Sequence, residues 1–246
     1  LPRGTKLSTT VEGDSFNFVT LETQTSVISG STFTFTDVPI AEGVYTSIKY
    51  RVDNDISIQR HQLPHSTVDT STLRVRVQAN EESTSYDIFT LFTTLLNVTA
   101  ASKIFHLQEN ANGYYEIYFG DGVTGTKPEN NNIVTLDYVY SSGTVANGAS
   151  IFEMVDSIGG FTEITVTTVT NATGGTVQES LESIRYNAPL TFTSQNRAVT
   201  SDDYRAIIQR EFSNIKAIST WGGEDQATPD YGKIFICIRP NTADVL

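Results

Sequence analysis

Cysteine occurs once among the 246 residues, as do methionine and tryptophan. A single cysteine excludes an internal disulfide framework and any zinc cluster built on cysteines. Basic residues are scarce as well: 16 Lys and Arg stand against 28 Asp and Glu, a formal net charge of −12. No Lys/Arg run interrupts the acidic excess, and such a chain repels phosphate backbones, so general nucleic-acid binding is excluded. No apolar stretch approaches the roughly 20 residues that a membrane-crossing helix needs. The chain starts at Leu1 without Met or a signal-like segment and stops at Asp244-Val245-Leu246, directly after a strong strand pattern. It reads as a piece of a longer protein, cut within its last domain. Asn97-Val98-Thr99 and Asn171-Ala172-Thr173 match the glycosylation sequon, which matters only in a secreted eukaryotic protein.

What is present is apolar and aromatic. Hydrophobic residues make up 38% and aromatic residues 10%, too much for a disordered chain and enough to build real cores. Up to about residue 172 the pattern is β. Phe16 to Leu21, Thr32-Phe33-Thr34-Phe35-Thr36 and Leu73-Arg74-Val75-Arg76-Val77 alternate apolar with polar residues. Period two puts the apolar set on one face of a half-wet antiparallel sheet. Turn signals separate these runs at Glu12-Gly13-Asp14, Ser29-Gly30-Ser31, Glu42-Gly43 and Asp53-Asn54-Asp55. Further strands are predicted near 85–91, 103–108, 114–119, 133–140 and 164–169, with a hairpin turn at Asn110-Ala111-Asn112-Gly113.

Past Gly174-Gly175 the period changes. Thr176-Val177-Gln178-Glu179 has the form of a capping box. Val177, Leu181, Ile184 and Ala188 recur at helical spacing, and Pro189 predicts an end at Ala188. A second helix is expected from Thr200-Ser201-Asp202-Asp203, with Tyr204, Ile207, Ile208 and Phe212 on one face. Strands follow at 215–221 and 234–238, the latter apolar on both faces and so expected to be covered from two sides. The predicted fold is mostly β with a C-terminal α+β unit: antiparallel β domains, then two helices on a small sheet. The predicted domains are 1–55, 56–148 and 173–246.

Candidates for chemistry are few. His61 and His65 have the i,i+4 spacing of two zinc ligands, but Pro64 intervenes and a zinc site needs a third ligand. They read as surface residues of a connector, and His106 as a solvent-face residue of a strand. Gly120-Asp121-Gly122-Val123-Thr124-Gly125 has neither the Lys-Ser/Thr pair of a phosphate loop nor the ligand pattern of a calcium loop. It reads as a tight turn with glycines at positive φ. Cys237, mid-strand, reads as an inert small hydrophobe. Glu81-Glu82 and Asp202-Asp203 fall at a turn and a helix start. No catalytic, cofactor or metal residue is assigned.

The tail carries a recognisable pattern. Val169-Thr170-Asn171-Ala172-Thr173-Gly174-Gly175, the Glu179-Ser180-Leu181-Glu182-Ser183-Ile184-Arg185 helix, Ala188-Pro189, Gln195-Asn196-Arg197-Ala198-Val199-Thr200 with Asp203-Tyr204, and Trp221-Gly222-Gly223 together resemble the baseplate J-like family. Phe119-Gly120-Asp121-Gly122-Val123 with Gly125 and Lys127-Pro128 is similar to the form found in T-even-type contractile-tail phages, and Leu1-Pro2-Arg3-Gly4-Thr5-Lys6-Leu7 to the entry into the family's first β domain. The resemblance implies a non-enzymatic virion protein of the tail baseplate, assembled in the host cytoplasm. It would link wedges into the ring around the hub and re-pack its interfaces on contraction. Its partners would be a second copy and other wedge, hub and sheath-initiation proteins, with Leu181, Ile184, Tyr204, Ile208, Phe212 and Trp221 as candidate interface. It also implies that the second β group is inserted, so that 1–55 and 149–172 share one sheet domain; otherwise the β domains are consecutive. Two rival readings are a carbohydrate- or receptor-binding β module using Tyr114, Tyr115 and Tyr118, and a hydrolase using His61, His65 or His106.

Overall fold

The computed structural model describes all residues except 31, 57, 94–97, 196, 213–214 and 241–246. Ser31, Asn97 of the first sequon, Asn196 and Asp244-Val245-Leu246 lie outside the described residues. Two compact units divide the chain, Leu1–Ala172 and Thr173–Leu246.

In the first unit, β1 (Lys6–Val11) and β2 (Asp14–Thr20) form a hairpin. Its two turn residues, Glu12 at φ 53° and Gly13 at φ 98°, supply the left-handed pair that matches the twist of the strands. Next come a short separate hairpin of β3 (Val27–Ser29) and β4 (Thr32–Thr34), then β5 (Ile40–Glu42) and β6 (Val44–Arg51). β7 (His61–Gln62), β8 (Val68–Gln78), β9 (Asp87–Leu91), β10 (Ile104–Glu109), β11 (Tyr115–Phe119), β12 (Ile133–Tyr140) and β13 (Glu153–Met154) complete the unit. One four-stranded sheet runs β13-β1-β2-β5, and one seven-stranded sheet runs β6-β12-β8-β9-β10-β11-β7. The larger sheet curls until its outer strands meet: the Tyr50 hydroxyl donates to the Gln62 carbonyl, and Gln59 Nε2 donates to the Arg51 carbonyl at 3.0 Å. Val75, Ile117, Val134, Leu136 and Tyr138 fill the barrel so formed, each fully buried. β12 pairs with β6 on one side and β8 on the other, and seven of its eight residues are buried.

The chain crosses between the sheets at Gly43. The residue stands at φ 126°, and a Cβ there would lie 2.2 Å from the Tyr140 carbonyl oxygen, so only glycine fits. The return crossing is adjacent: the Ser142 N–H donates to Glu42 Oε2 at 2.9 Å. The barrel thus leaves and rejoins the four-stranded sheet at neighbouring points. A second core sits on that sheet, with Leu7, Phe18, Ala146, Ala149 and Phe152 buried and the Phe18 and Phe152 rings edge to face at 4.8 Å.

In the second unit, α1 (Leu181–Ser194) packs on α2 (Ser201–Glu211), and α2 on β14 (Ile215–Gly222), which pairs with β15 (Ile234–Pro240). Thr200 caps α2 in a capping box with Asp203. This agrees with the predicted mostly-β architecture ending in two helices near a small sheet.

Several local expectations are corrected. No strand covers 164–169; Thr168 Oγ1 donates to the Ser150 carbonyl at 2.6 Å, Ala172 exchanges bonds with Gly148 and Ala149, and Val166 covers the small core. The neighbouring edge, β13, is two residues long and offers no ladder to extend. Thr32 to Thr36 does not bury a face, since Phe33 is 48% exposed. β9 and β10 pair in parallel across a connection of about a dozen residues, near the minimum for such a crossover. Thr176 does not cap α1: Ser180 does, accepting from the Ser183 N–H. Glu179 instead accepts from Ser183 Oγ and Asn187 Nδ2, bonds that hold its carboxyl below the usual pKa. Pro189 lies inside α1 rather than ending it; the bias on the residue before proline costs less here than breaking a helix already packed on α2. On β15, Cys237 is exposed and Ile236 is 42% exposed, so the expected two-sided cover is not supplied by the described residues.

Gly43→Ala is expected to cost about 2–4 kcal/mol of unfolding free energy, from backbone strain and the carbonyl clash. Gly13→Asn, at an open turn, is expected to cost under about 1 kcal/mol. Urea unfolding of both variants checks the contrast.

Candidate functional surface

The histidines are built into the barrel. His61 is 2% exposed and packs against the rings of Tyr50 at 5.1 Å and Phe119 at 5.9 Å, which corrects its reading as a surface residue. Sequence inspection missed this because a two-residue strand has no periodicity to read. Burial lowers the His61 pKa to about 4, so the ring is neutral at pH 7. His65 is held by Tyr138, with Nδ1 and the hydroxyl 2.7 Å apart, and stacks on Tyr140 at 3.9 Å. His106 is half-buried and sits between Phe92 at 4.7 Å and Tyr118 at 4.8 Å. Each imidazole is taken up by aromatic neighbours. Among the described residues no group of three or more His, Cys, Asp or Glu could hold a metal ion.

The tyrosines do not form an open platform. Tyr118 faces its cross-strand partner His106 on one side, and the Arg60 guanidinium lies over its ring at 5.1 Å. Arg60 and Gln108 both donate to Glu116 and lower its pKa. Tyr115, on the opposite face, packs on the barrel core. A sugar ring therefore meets no free face at Tyr118. At Gly120 to Gly125 the Asp121 carboxylate accepts the backbone N–H groups of Val123 and Thr124, which lower its pKa. Gly122 and Gly125 have positive φ; the segment is a turn. An open cleft of about 450 Å³ is lined by Arg51, Asp53, Ile56, Gln59 and Asn130 among others. Its side chains are spent on the loop itself, Gln59 Oε1 accepting from the Asp53 N–H and Asn130 Oδ1 from the Asn54 N–H.

The second unit presents the unusual surface. α1 turns Ser183, Asn187, Thr191 and Ser194 inward, half-buried or buried, and leaves Leu181, Ile184, Ala188 and Phe192 exposed. Phe192 is 79% exposed and Leu181 60%. Glu182 and Arg185 are exposed beside them and Leu190 is half-buried, so the helix is only weakly amphipathic, yet it leaves several large apolar side chains outward. Of the other candidate interface residues, Phe212 is 63% exposed, while Tyr204, Ile208 and Trp221 are half-buried within the unit, Trp221 stacking on Phe235 at 6.0 Å. Phe192 was missed because the helix was expected to end before it.

Residues 43–144 match a family described as bacteriophage baseplate wedge protein gp6, third domain. Residues 200–246 match baseplate structural protein gp6, C-terminal domain I. These two matches support a baseplate wedge protein family for the chain. The baseplate wedge protein gp6 of Enterobacteria phage T4 is 26% identical over 270 residues, a match that takes in 98% of this chain and 39% of that protein. The chain thus spans about two fifths of the length of the curated relative it matches. The family is structural, not enzymatic. The third-domain match begins at Gly43 and ends two residues beyond Ser142, at the paired crossings that bound the barrel.

His61 ties stability to pH. Its folded pKa of about 4 lies below the ordinary 6.5, so between these values the unfolded chain binds more protons and stability falls as pH falls. The expected loss from this residue is about 3 kcal/mol between roughly pH 6.5 and 4. Urea unfolding of the parent chain and His61→Leu across that range checks it: the variant shows the shallower pH dependence.

Proposed function

We propose that this chain is a structural piece of a contractile phage tail baseplate, linking wedges into the ring around the hub and re-packing its interfaces when the tail contracts. Its place is the tail baseplate of the virion, after assembly in the host cytoplasm. Its partners are a second copy of the chain and other wedge, hub and sheath-initiation proteins. The tail segment from Val169 to Gly223 is read as the baseplate J-like portion.

The observation that carries this reading is the outward stripe on α1. Leu181, Ile184, Ala188 and Phe192 in water are unfavourable by about 25 cal/mol per Å² of apolar surface left exposed. Exposed apolar patches of this kind mark protein contacts. Phe212 adds to the exposed apolar surface of the same unit. Leu181, Ile184, Tyr204, Ile208, Phe212 and Trp221 are proposed as the interface, with Phe192 added. An obligate contact of this type buries about 2,000 Å² or more.

Light scattering at micromolar concentration is expected to show self-association of the chain. Ile184→Glu combined with Phe192→Glu is expected to shift it to monomer with an unchanged circular dichroism spectrum. A strict monomer before substitution, which also fails to pull down purified tail components, would contradict the proposal.

A further inference from the structure

The barrel and the four-stranded sheet meet through an unusual charge cluster. Thr72 lies in an irregular stretch of β8, where pairing with β12 shifts register between Asp137 and Val139. Its hydroxyl accepts from the Val139 N–H at 2.9 Å. Its carbonyl accepts from Arg3 Nη2 at 2.6 Å, across 69 residues of sequence. The same guanidinium lies 5.5 Å from the centre of the Tyr45 ring, and the Gly4 backbone presses on that ring so closely that a Cβ would sit 2.9 Å from Tyr45 Cδ1. Beneath them lies Asp137, 2% exposed. Arg76 holds it through one oxygen only, with Nε and Nη2 both donating to Oδ2, at 2.8 and 2.7 Å. Asp137 Oδ1 and Arg3 Nε are both buried without a hydrogen bond of good geometry, while burial and the neighbouring Asp137 raise the Tyr45 pKa.

The arrangement sets Arg3, Arg74 and Arg76 around one buried acid. Arg3 is opposed first by burial and then by Arg74, and attracted by Asp137. Release of Arg3 to water relieves the burial and the repulsion; docking gains the Thr72 carbonyl and the Tyr45 face. With Nε buried and unpartnered, the docked guanidinium keeps a desolvation cost that its bond to Thr72 must offset. Close by, the chain passes between the barrel and its neighbour at two crossings, where the Gly43 N–H bonds the Asn17 carbonyl at 2.9 Å and the Ser142 N–H bonds Glu42.

We propose that Arg3 is a releasable latch, which docks the Leu1–Thr5 segment on the Thr72 irregularity and, when released, lets the 43–144 barrel turn about the crossings at Gly43 and Ser142. Two discrete arrangements about a few hinge residues are what such a device requires.

Amide hydrogen exchange on the full chain tests it, read at Gly43 and Ser142 and, as a reference, at Val134 and Leu136 in β12. Arg3→Ala is expected to speed exchange at both crossings about tenfold or more, the scale of one charge-assisted bond, with β12 unchanged. Asp137→Asn is expected to do the same in the parent chain and to add nothing once Arg3 is alanine. Unchanged crossings in Arg3→Ala, or β12 loosened as much as the crossings, overturns the latch. So does full additivity of the two substitutions.

Discussion

Two-sided burial of β12 governs the first unit. A strand with barrel core on one face and the Thr135, Asp137 and Val139 face also buried makes an unpaired polar group costly. Asp137 is met there at one oxygen by Arg76. From this strand the rest follows: β6 and β8 take its two edges, the sheet curls around Val134, Leu136 and Tyr138, and its end at Tyr140 sets the carbonyl that forces glycine at residue 43. The Leu1–Thr5 segment then closes over the polar face, with Arg3 reaching Thr72. A buried charge of this kind adds little net stability but penalises other registers.

How much of this could be read beforehand depended on element length. Leu73 to Val77 alternates over enough residues to show its faces, and Val75 and Val77 are buried where alternation puts them. Asp203 three residues after Thr200 is a local signal, and the capping box forms. β5, β7 and β13 are two or three residues long; at that length no period exists, so neither the sheet switch at Gly43 nor the burial of His61 was visible. Pro189 misled for another reason. Its effect on the backbone is a local bias, and packing against α2 outweighed it. The error hid Phe192, and with it the length of the stripe on α1. That the stripe faces outward is a tertiary fact which no helical pattern reveals.

The two units divide the work in physical terms. In the first, histidine and tyrosine side chains that resemble chemistry in the sequence are consumed in stacking and packing. In the second, polar side chains such as Ser183 and Asn187 are turned inward, and apolar surface remains for something else to cover. A protein so built acts through contact, and the gp6 domain matches agree with a structural part.

The most direct test of that claim is hydrogen-exchange footprinting of this chain free and within an assembled baseplate wedge. The account predicts protection across Leu181 to Phe192 on assembly. Unchanged exchange over α1, with protection confined to the barrel, would contradict it.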